Sequence, residues 1–455
     1  MTKRYRPFEP KQQLLLPPNL EEWLPEDHLA RFVRDVVDAL DLGELYAAHQ
    51  EEDRGYPPYD PRMMTQVMLY AYAVGVPSSR RIECKLVEDV AFRYLAAGNA
   101  PGHRTIAEFR RRHLAALAKL FVQVLQLCQE AGLVKLGHVA LDSTKIKANA
   151  SKHKAMSYER LGKAESDLKR EIAELLGTAE ATDAEEDRRY GRDRRGDELP
   201  EELARREKRL AKIQEAKRAL EAKARTEADH RRADRETREA AARDEGRTVP
   251  GYPPRIEDRP DPKAQRNFTD PDSGIMKGAD GFVQAYNCQA AVDAHAQVIV
   301  ACEASRIAAD SIQVEPMVTG ILDGTGELPR KLSADRGFFS EANAEGLQDL
   351  GIDAYVAVEK DTHRAPSRAS PHGRIPRSAT MKDRMRRKLR TLRGKKTYAR
   401  RKAIVEPVFG QIKNRGYRQF LLRGQRQVEA EWNLICTSHN LLKLFRGTSG
   451  RWSTN

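Results

Sequence analysis

Cysteine is scarce and scattered in this 455-residue chain: Cys84, Cys128, Cys288, Cys302 and Cys436 form no C-x-x-C pair and no even framework. That argues against a zinc ribbon or a disulfide scaffold and favours a reducing compartment. No uncharged apolar stretch approaches the roughly 18 residues that a membrane span needs, so no membrane role is expected. The opening MTKRYRPFEPKQQ lacks the apolar core of a secretory signal, and the expected location is the cytoplasm. Aromatics make up only 6% of the chain against 32% charged residues. Lys+Arg number 80 and Asp+Glu 67, a formal +13, and this balance favours a polyanionic partner. The length allows roughly two to four domains, with ample apolar material for a core.

The excess charge is not evenly spread. Between Arg364 and Lys402 stand sixteen Lys or Arg and one acid, Asp383, so that 16 − 1 = +15 exceeds the whole chain's surplus and leaves the remainder close to neutral. Pro366, Pro371, Gly373, Pro376 and Gly394 break this stretch, which reads as a loop followed by a basic helix around Met381 to Leu392. A solvated basic tail is the plain alternative. Its place between two ordered-looking segments favours a surface that neutralises phosphates and binds with steep salt dependence.

Residues 20 to 135 read as all-helical. Asp60-Pro61 opens a helix with Met64, Val67, Met68 and Ala71 on a buried stripe, core filler by preference. Gly75-Val76-Pro77 makes a turn, and Ser78 or Ser79 caps the next helix. Thr105-Ile106-Ala107-Glu108 reads as a capping box that starts one long helix to Ala131. Arg80, Arg81, Arg110, Arg111 and Arg112, read as exposed, suit a helix-turn-helix-like DNA binder, although solvated helix faces carry arginines too.

At GHVALDSTKIKANA the grammar changes: Val139 to Leu141 reads as a short buried strand with Asp142 at its end. A charged insertion over 151–266 follows. Tyr158, Leu161, Leu168, Ile172 and Leu175 fall on a heptad track interrupted by Glu165; Leu203, Leu210, Ile213, Leu220 and Ala224 fall on a second, interrupted by Arg206 and Lys217. Together they predict an antiparallel helical hairpin, a spacer or interaction element without chemistry of its own, fraying from Arg225 to Arg247 as the stripe gives way to alternating charge. Strands are then predicted over Phe282–Val292 and Gln297–Ala304, a helix over Ala309–Leu322, a strand ending at Asp335, a helix over Phe338–Leu350 and a strand over Ile352–Val358. Strand, strand, strand, helix, strand, helix, strand is an α/β sheet with helices packed on it. Val405, Val408, Phe409 and Ile412 mark a last helix from about 407, with Glu406 at its entrance before Pro407 and Lys413 pointing within about 20° of it.

A carboxylate at each of two strand ends and one on a facing helix could converge on hard divalent cations. Two Mg²⁺ or Mn²⁺ ions would activate a water or 3′-hydroxyl and stabilise the leaving oxygen of a phosphodiester. With 67 acids in the chain, three dispersed ones carry no weight alone.

Several blocks in order supply it. LPEDHLARFV, YDPRMMTQVMLYAYAVGVPSSRRIE, HRTIAEFRRRH, VALDSTKIKANAS, TDPDSGIMK, YNCQAAVD, LSADRGFFS, YARRKAIVEPVFGQIK and WNLICTSHNLLKLF together resemble the DDE transposases of bacterial insertion sequences, with an InsH-type N-terminal domain and a ribonuclease-H-like catalytic domain. The resemblance implies an α/β ribonuclease-H-like domain over 136–150 and 267–446, an all-α DNA-binding and dimerisation domain over 1–135, the coiled-coil-like hairpin inserted between, and a tail over 447–455. It implies that Asp142, Asp335 and Glu406 are the catalytic triad and hold Mg²⁺ or Mn²⁺, two ions in all. Around the Glu the family pattern is Tyr, two residues, Arg, three residues, Glu, six residues, Lys. Here Glu406 and Lys413 keep it, while Lys402 and Ala399 hold the Arg and Tyr positions and Arg401 and Tyr398 stand one residue early. Lys413, Arg401, Lys402 and Tyr398, with Arg80 and Arg81, are the expected DNA contacts. Asp293 and Asp310 also match family-like positions, but a hairpin turn and a helix start account for them; His439 reads as a core or capping residue. The expected partners are double-stranded DNA, at element ends and target, and a second copy in a homodimer, nucleoid-associated when bound. The expected activity is metal-dependent strand cleavage and transfer; the alternatives are a catalytically silent DNA-binding descendant and a standalone nuclease.

Overall fold

The computed structural model describes residues 19–47, 58–190, 201–244, 256–278, 281–359, 371, 373–376 and 378–450. These form two compact units, Met1–Lys147 with Ala285–Asn455, and Ala148–Gln284.

The first unit begins with α1 (Leu29–Ala39), α2 (Gly43–Ala47), α3 (Pro61–Ala73), α4 (Ser79–Glu88), α5 (Val90–Leu95), α6 (His103–Arg112) and α7 (Leu114–Glu130). Asp60 starts α3 as expected: its Oδ1 accepts from the amides of Arg62 at 2.7 Å and Met63 at 3.4 Å, with Pro61 in the first turn. Every residue of α3 except Arg62 is buried, so this helix is enclosed on all sides rather than along one stripe. Gly75 then turns at φ +75°, and a Cβ there would lie 2.5 Å from the Arg415 carbonyl oxygen, so only glycine fits. The expected single helix from Thr105 is two, broken at His113. Thr105 does not cap; α6 already begins at His103, whose Nδ1 lies 2.8 Å from Glu83, and Gly102 holds the cap position. Arg110 is also not exposed: it is buried, with Nη1 donating to the Pro77 carbonyl at 2.8 Å. Arg80 and Arg81 are exposed on α4.

The chain then enters β1 (Val139–Lys147). The expected strand ended at Leu141, with Asp142 at its terminus; β1 instead continues six residues beyond, to Lys147, because the β-branched Thr144 and Ile146 keep pairing, with Cys288 and Tyr286.

The second unit holds β2 (Ala155–Ser157), α8 (Tyr158–Tyr190), α9 (Glu201–Asp244), β3 (Gln265–Asn267) and β4 (Gly274–Gly278). β2 and β3 pair antiparallel, and α8 packs on α9 as the predicted hairpin. Its core is Leu161, Leu168, Ile213, Ala216 and Leu220, with Tyr158 and Leu210 against it. The side chains of Leu175 and Leu203 lie outside the described residues. Two of the interruptions, Glu165 and Lys217, are one another's partners, and the third, Arg206, also finds an acid on the facing helix. Lys217 Nζ donates to Glu165 at 2.8 Å, and Arg206 to Glu171 at 3.0 Å. Bonds from Lys169 and Lys217 hold the Glu165 carboxyl down to about 2. The expected fraying from Arg225 is absent as far as Asp244, with Ala228 buried. Alanine-rich sequence favours helix, and close pairs such as Arg232 with Asp229 at 2.8 Å and Arg235 with Glu239 at 3.6 Å replace the missing stripe. Residues 245–247 lie outside the described ones.

The long β5 (Gly281–Asp293) starts in the second unit beside β4 and continues into the first. There follow β6 (Ile299–Ser305), α10 (Val314–Thr325), β7 (Lys331–Ala334), α11 (Glu341–Asp349), β8 (Asp353–Val356), α12 (Met381–Arg390), α13 (Leu392–Asn414) and α14 (Gln425–Gly447). The element order matches the sequence expectation. Within the first unit the sheet order is β6-β5-β1-β7-β8: β5 runs antiparallel to β6 and β1, whereas β1, β7 and β8 are parallel. β5 is buried from Gln284 to Asp293, as suits an interior strand covered on both faces. α13 packs on β1, β7 and β8, and α14 packs on α7, α3 and β6. Trp432, fully buried on α14, donates from Nε1 to the Gln289 carbonyl at 3.0 Å. Asn440 donates to the carbonyl and accepts from the amide of Ile299 on β6, both at 2.8 Å.

Glu406 was expected at a helix entrance, but it lies inside the 23-residue α13 with Pro407 following it in mid-helix. Proline has no N–H to give the carbonyl four residues back, here that of Ala403. Gln297 supplies the donor instead, from Nε2 at 3.0 Å, so the helix passes through the proline without an orphaned acceptor.

Candidate active site

β1 and β7 are adjacent, parallel and in register, with Leu141 opposite Ala334. The next residue on each is an aspartate. Asp142 and Asp335 therefore stand side by side at the carboxyl end of β7, where β1 has an antiparallel neighbour on one side and a parallel one on the other. Asp335 continues from the strand into a 3-10 turn and accepts from the Gly337 amide at 2.8 Å. Asp142 accepts from the Ser143 amide at 2.8 Å and from Arg401 Nη1 at 2.5 Å. Burial pushes the Asp142 carboxyl above its ordinary range and the Asp335 charge adds to this, while Arg401 and the Ser143 amide pull the other way. Burial would lower Arg401, but Asp142, Tyr398 and Asp335 together outweigh it and the guanidinium is held above its usual value.

The structure places the other sequence-predicted residues as follows. Arg401 is only 8% exposed at its side chain, closing on Asp142 and lying over the Tyr398 ring at 5.7 Å; it faces the carboxylates rather than the surface. Lys402 is exposed, and Lys413 is half-buried, its ammonium lowered by burial with Cys288 close by. Glu406 is exposed, and among the described residues it makes no ion pair. Five residues separate it from Arg401, about 140° around the helix, so the face that presents Arg401 to Asp142 turns Glu406 aside. Among the described residues no three His, Cys, Asp or Glu come together as a metal site. The two aspartates are adjacent oxygen donors of the kind Mg²⁺ and Mn²⁺ prefer, and they fit such an ion as a pair; the third carboxylate is not gathered with them.

Beside the pair lies a polar chain that sequence reasoning passed over. Lys145 Nζ donates to Asn287 Oδ1 at 2.6 Å and to Ser143 Oγ at 3.3 Å; Asn287 Nδ2 donates to Asp310 Oδ1 at 2.7 Å. Asp310 was expected to cap a helix, yet its side chain makes no capping bond and is held by Asn287 instead. A Cβ on Gly337 would lie 2.8 Å from Asp310 Oδ2 and 3.1 Å from Asp335 Oδ1, so the glycine lets the two carboxylates approach. The only signal in the sequence was alternation: Ser143 and Lys145 share a face of β1. Asp293 is a turn residue as expected, accepting from the amides of Leu136 and His295 at 2.8 Å each. His439 is a core residue, Nε2 3.0 Å from the Gln297 carbonyl, and burial lowers it to about 3.

A helical N-terminal region is followed by a mixed α/β sheet with two aspartates abreast on neighbouring strands, an arrangement consistent with a DDE transposase fold. Profile comparison then places the chain: the "Transposase domain (DUF772)" family matches residues 18–112 and the "Transposase DDE domain" family matches residues 250–441. The chain belongs to the insertion-sequence DDE transposases. Asp335 and Glu406 fall inside the second match and Asp142 between the two. No curated protein and no solved structure matches the chain. Membership implies DNA binding, and no described helix is long and apolar enough to cross a membrane.

Proposed function

We propose that this transposase cuts and rejoins DNA strands at the ends of its element with Asp142, Asp335 and Glu406, on a ribonuclease-H-like catalytic domain. The observation that carries the reading is the register of β1 and β7, which sets two aspartates far apart in sequence side by side. The mixed sheet, an antiparallel run of three strands extended on the other side by two parallel ones, supports the domain assignment. Asp142 and Asp335 would hold Mg²⁺ or Mn²⁺, which supplies a more acidic attacking hydroxyl and charge stabilisation at the leaving oxygen when bound. Arg401 neutralises Asp142 in this conformation, and the guanidinium must give way before Asp142 can serve as a ligand. α13 must turn for Glu406 to join. Arg80 and Arg81 on α4, with Lys402, Lys413 and Tyr398, contact DNA in this reading, and two copies bring the two ends together.

Asp142→Ala or Glu406→Ala should abolish metal-dependent cleavage of end-containing duplexes while leaving duplex binding intact. Normal cutting by either variant would reject this triad. The exposed position of Glu406 favours one second reading, a catalytically silent DNA-binding protein. Mg²⁺-dependent nicking by the unaltered chain excludes it.

A further inference from the structure

At the opposite, amino ends of β1 and β7 lies an open cavity of about 490 Å³ whose walls include Lys135, His138, Asp293, Lys331, Lys396 and Arg400. None of these is among the DNA contacts argued above. The cavity gathers four permanent cations from three places in the chain: the approach to β1, the first residue of β7 and the first turns of α13. Among the described residues none of Lys135, Lys331, Lys396 and Arg400 makes an ion pair with an acid, unlike Lys388, Arg386 and Arg390 on neighbouring α12, which are paired with Asp353 and Glu359. The one carboxylate in the wall, Asp293, has both oxygens engaged by backbone amides, at 2.8 Å each, and its single charge is outnumbered by the four cations. His138 reports the resulting field. Burial first, and then Arg400 and Lys331, lower it to about 4, so it stands neutral against Ser333 Oγ at 2.9 Å.

Several unpaired ammonium and guanidinium groups converging on a solvent-open cavity suit a ligand with several anionic oxygens, and a phosphate is such a group. Its place in the sheet suggests which phosphate. His138, one residue before β1, and Lys331, the first residue of β7, each precede their aspartate, Asp142 and Asp335, by four residues, about 13 Å at 3.3 Å per residue of extended chain. That is within the span of a few nucleotides of a bound strand. We propose that this cavity is a phosphate-binding subsite that holds the backbone of the DNA strand a few nucleotides from the bond addressed by Asp142 and Asp335. The inference rests on the strand-cutting reading for its ligand, but not for the site itself.

The test uses the full chain and the double variant Lys331→Gln/Lys396→Gln, with Lys396→Arg as the charge-conserving control. In one arm a 30-base-pair duplex is titrated in EDTA across a salt series; in the other, inorganic phosphate is titrated by calorimetry. The double variant should lose about tenfold in duplex affinity and reduce the slope of log K against log salt by about one, with Lys396→Arg close to the unaltered chain. Unchanged binding in both arms, by a variant with an unaltered melting curve, overturns the site. Loss of inorganic phosphate binding with duplex binding unchanged keeps a phosphate site and overturns the strand path. An unaltered chain that binds no duplex at all counts against the transposition reading, while the phosphate arm still decides the cavity.

Discussion

His138 stands one residue before β1 and Lys331 opens β7, flanking the first registered pair, Val139 and Leu332; Asp142 and Asp335 follow the last, Leu141 and Ala334. One pair belongs to a cavity walled by cations, the other is a carboxylate pair closed by Arg401. Four residues is an even step along a strand, so both pairs lie on the same face. The strands supply only the alternation and the spacing. What distinguishes the ends is which residues of α13 meet them, Lys396 and Arg400 at the basic end and Arg401 at the acidic one. A single register thus places an anion-attracting and a cation-attracting site a fixed distance apart.

The comparison breaks most visibly at the acidic end. Asp335→Ala should cut metal-dependent cleavage at least ~10³-fold, since the stabilisation lost is several kcal/mol, and should leave EDTA-stage duplex binding within about twofold; surviving cleavage would show that this end is not catalytic. Arg401→Met leaves Asp142 partly buried without its partner, and should lower stability by roughly 2–4 kcal/mol at pH 7. The loss should shrink toward pH 4 as Asp142 takes up a proton, and urea midpoints at the two pH values measure both. At the basic end, His138 is folded with a pKa of about 4 against an ordinary value near 6.5. The unfolded chain therefore binds the proton first: stability from this group is complete above about pH 6.5 and is lost as pH falls toward 4, by roughly 2 kcal/mol after allowing for partial solvent access. His138→Gln should flatten that part of the pH profile, and an unchanged acid limb would show that neither burial nor the cations of the cavity depress it. The smallest effect is expected at Gly337, where the added methyl of Gly337→Ala pushes Asp310 or Asp335 aside. Cleavage should fall about tenfold, near 1.4 kcal/mol, with Lys331-dependent duplex binding untouched.

Much of this architecture was legible because period and punctuation are local. The strand and helix order, the Asp60 cap, the hairpin tracks and the place of Asp335 at the end of its strand all follow from spacing within short windows. What escaped was set by distant partners. Pro407 reads as a helix start because its missing N–H is visible in the sequence, whereas the Gln297 amide that replaces it is not. Arg401 and Arg110 read as surface cations because nothing local announces Asp142 or the Pro77 carbonyl. Glu165 and Lys217 were each visible as a flaw in an apolar track, and only the packing of α8 on α9 shows that the flaws face each other. A charged residue in a heptad core position is thus better read as half of a pair than as an interruption.

Asn440 carries a consequence for assembly. β6 is the outermost strand of the first unit's sheet, and an outermost strand ordinarily offers its peptide groups to any strand that arrives. At Ile299 both groups are already held by one side-chain amide from α14. Asn440 acts there as a single residue of an absent neighbouring strand, filling the seat that a second chain's backbone would take. Two copies of this protein that come together on DNA must therefore meet through some surface other than a sheet continued across β6 at that point.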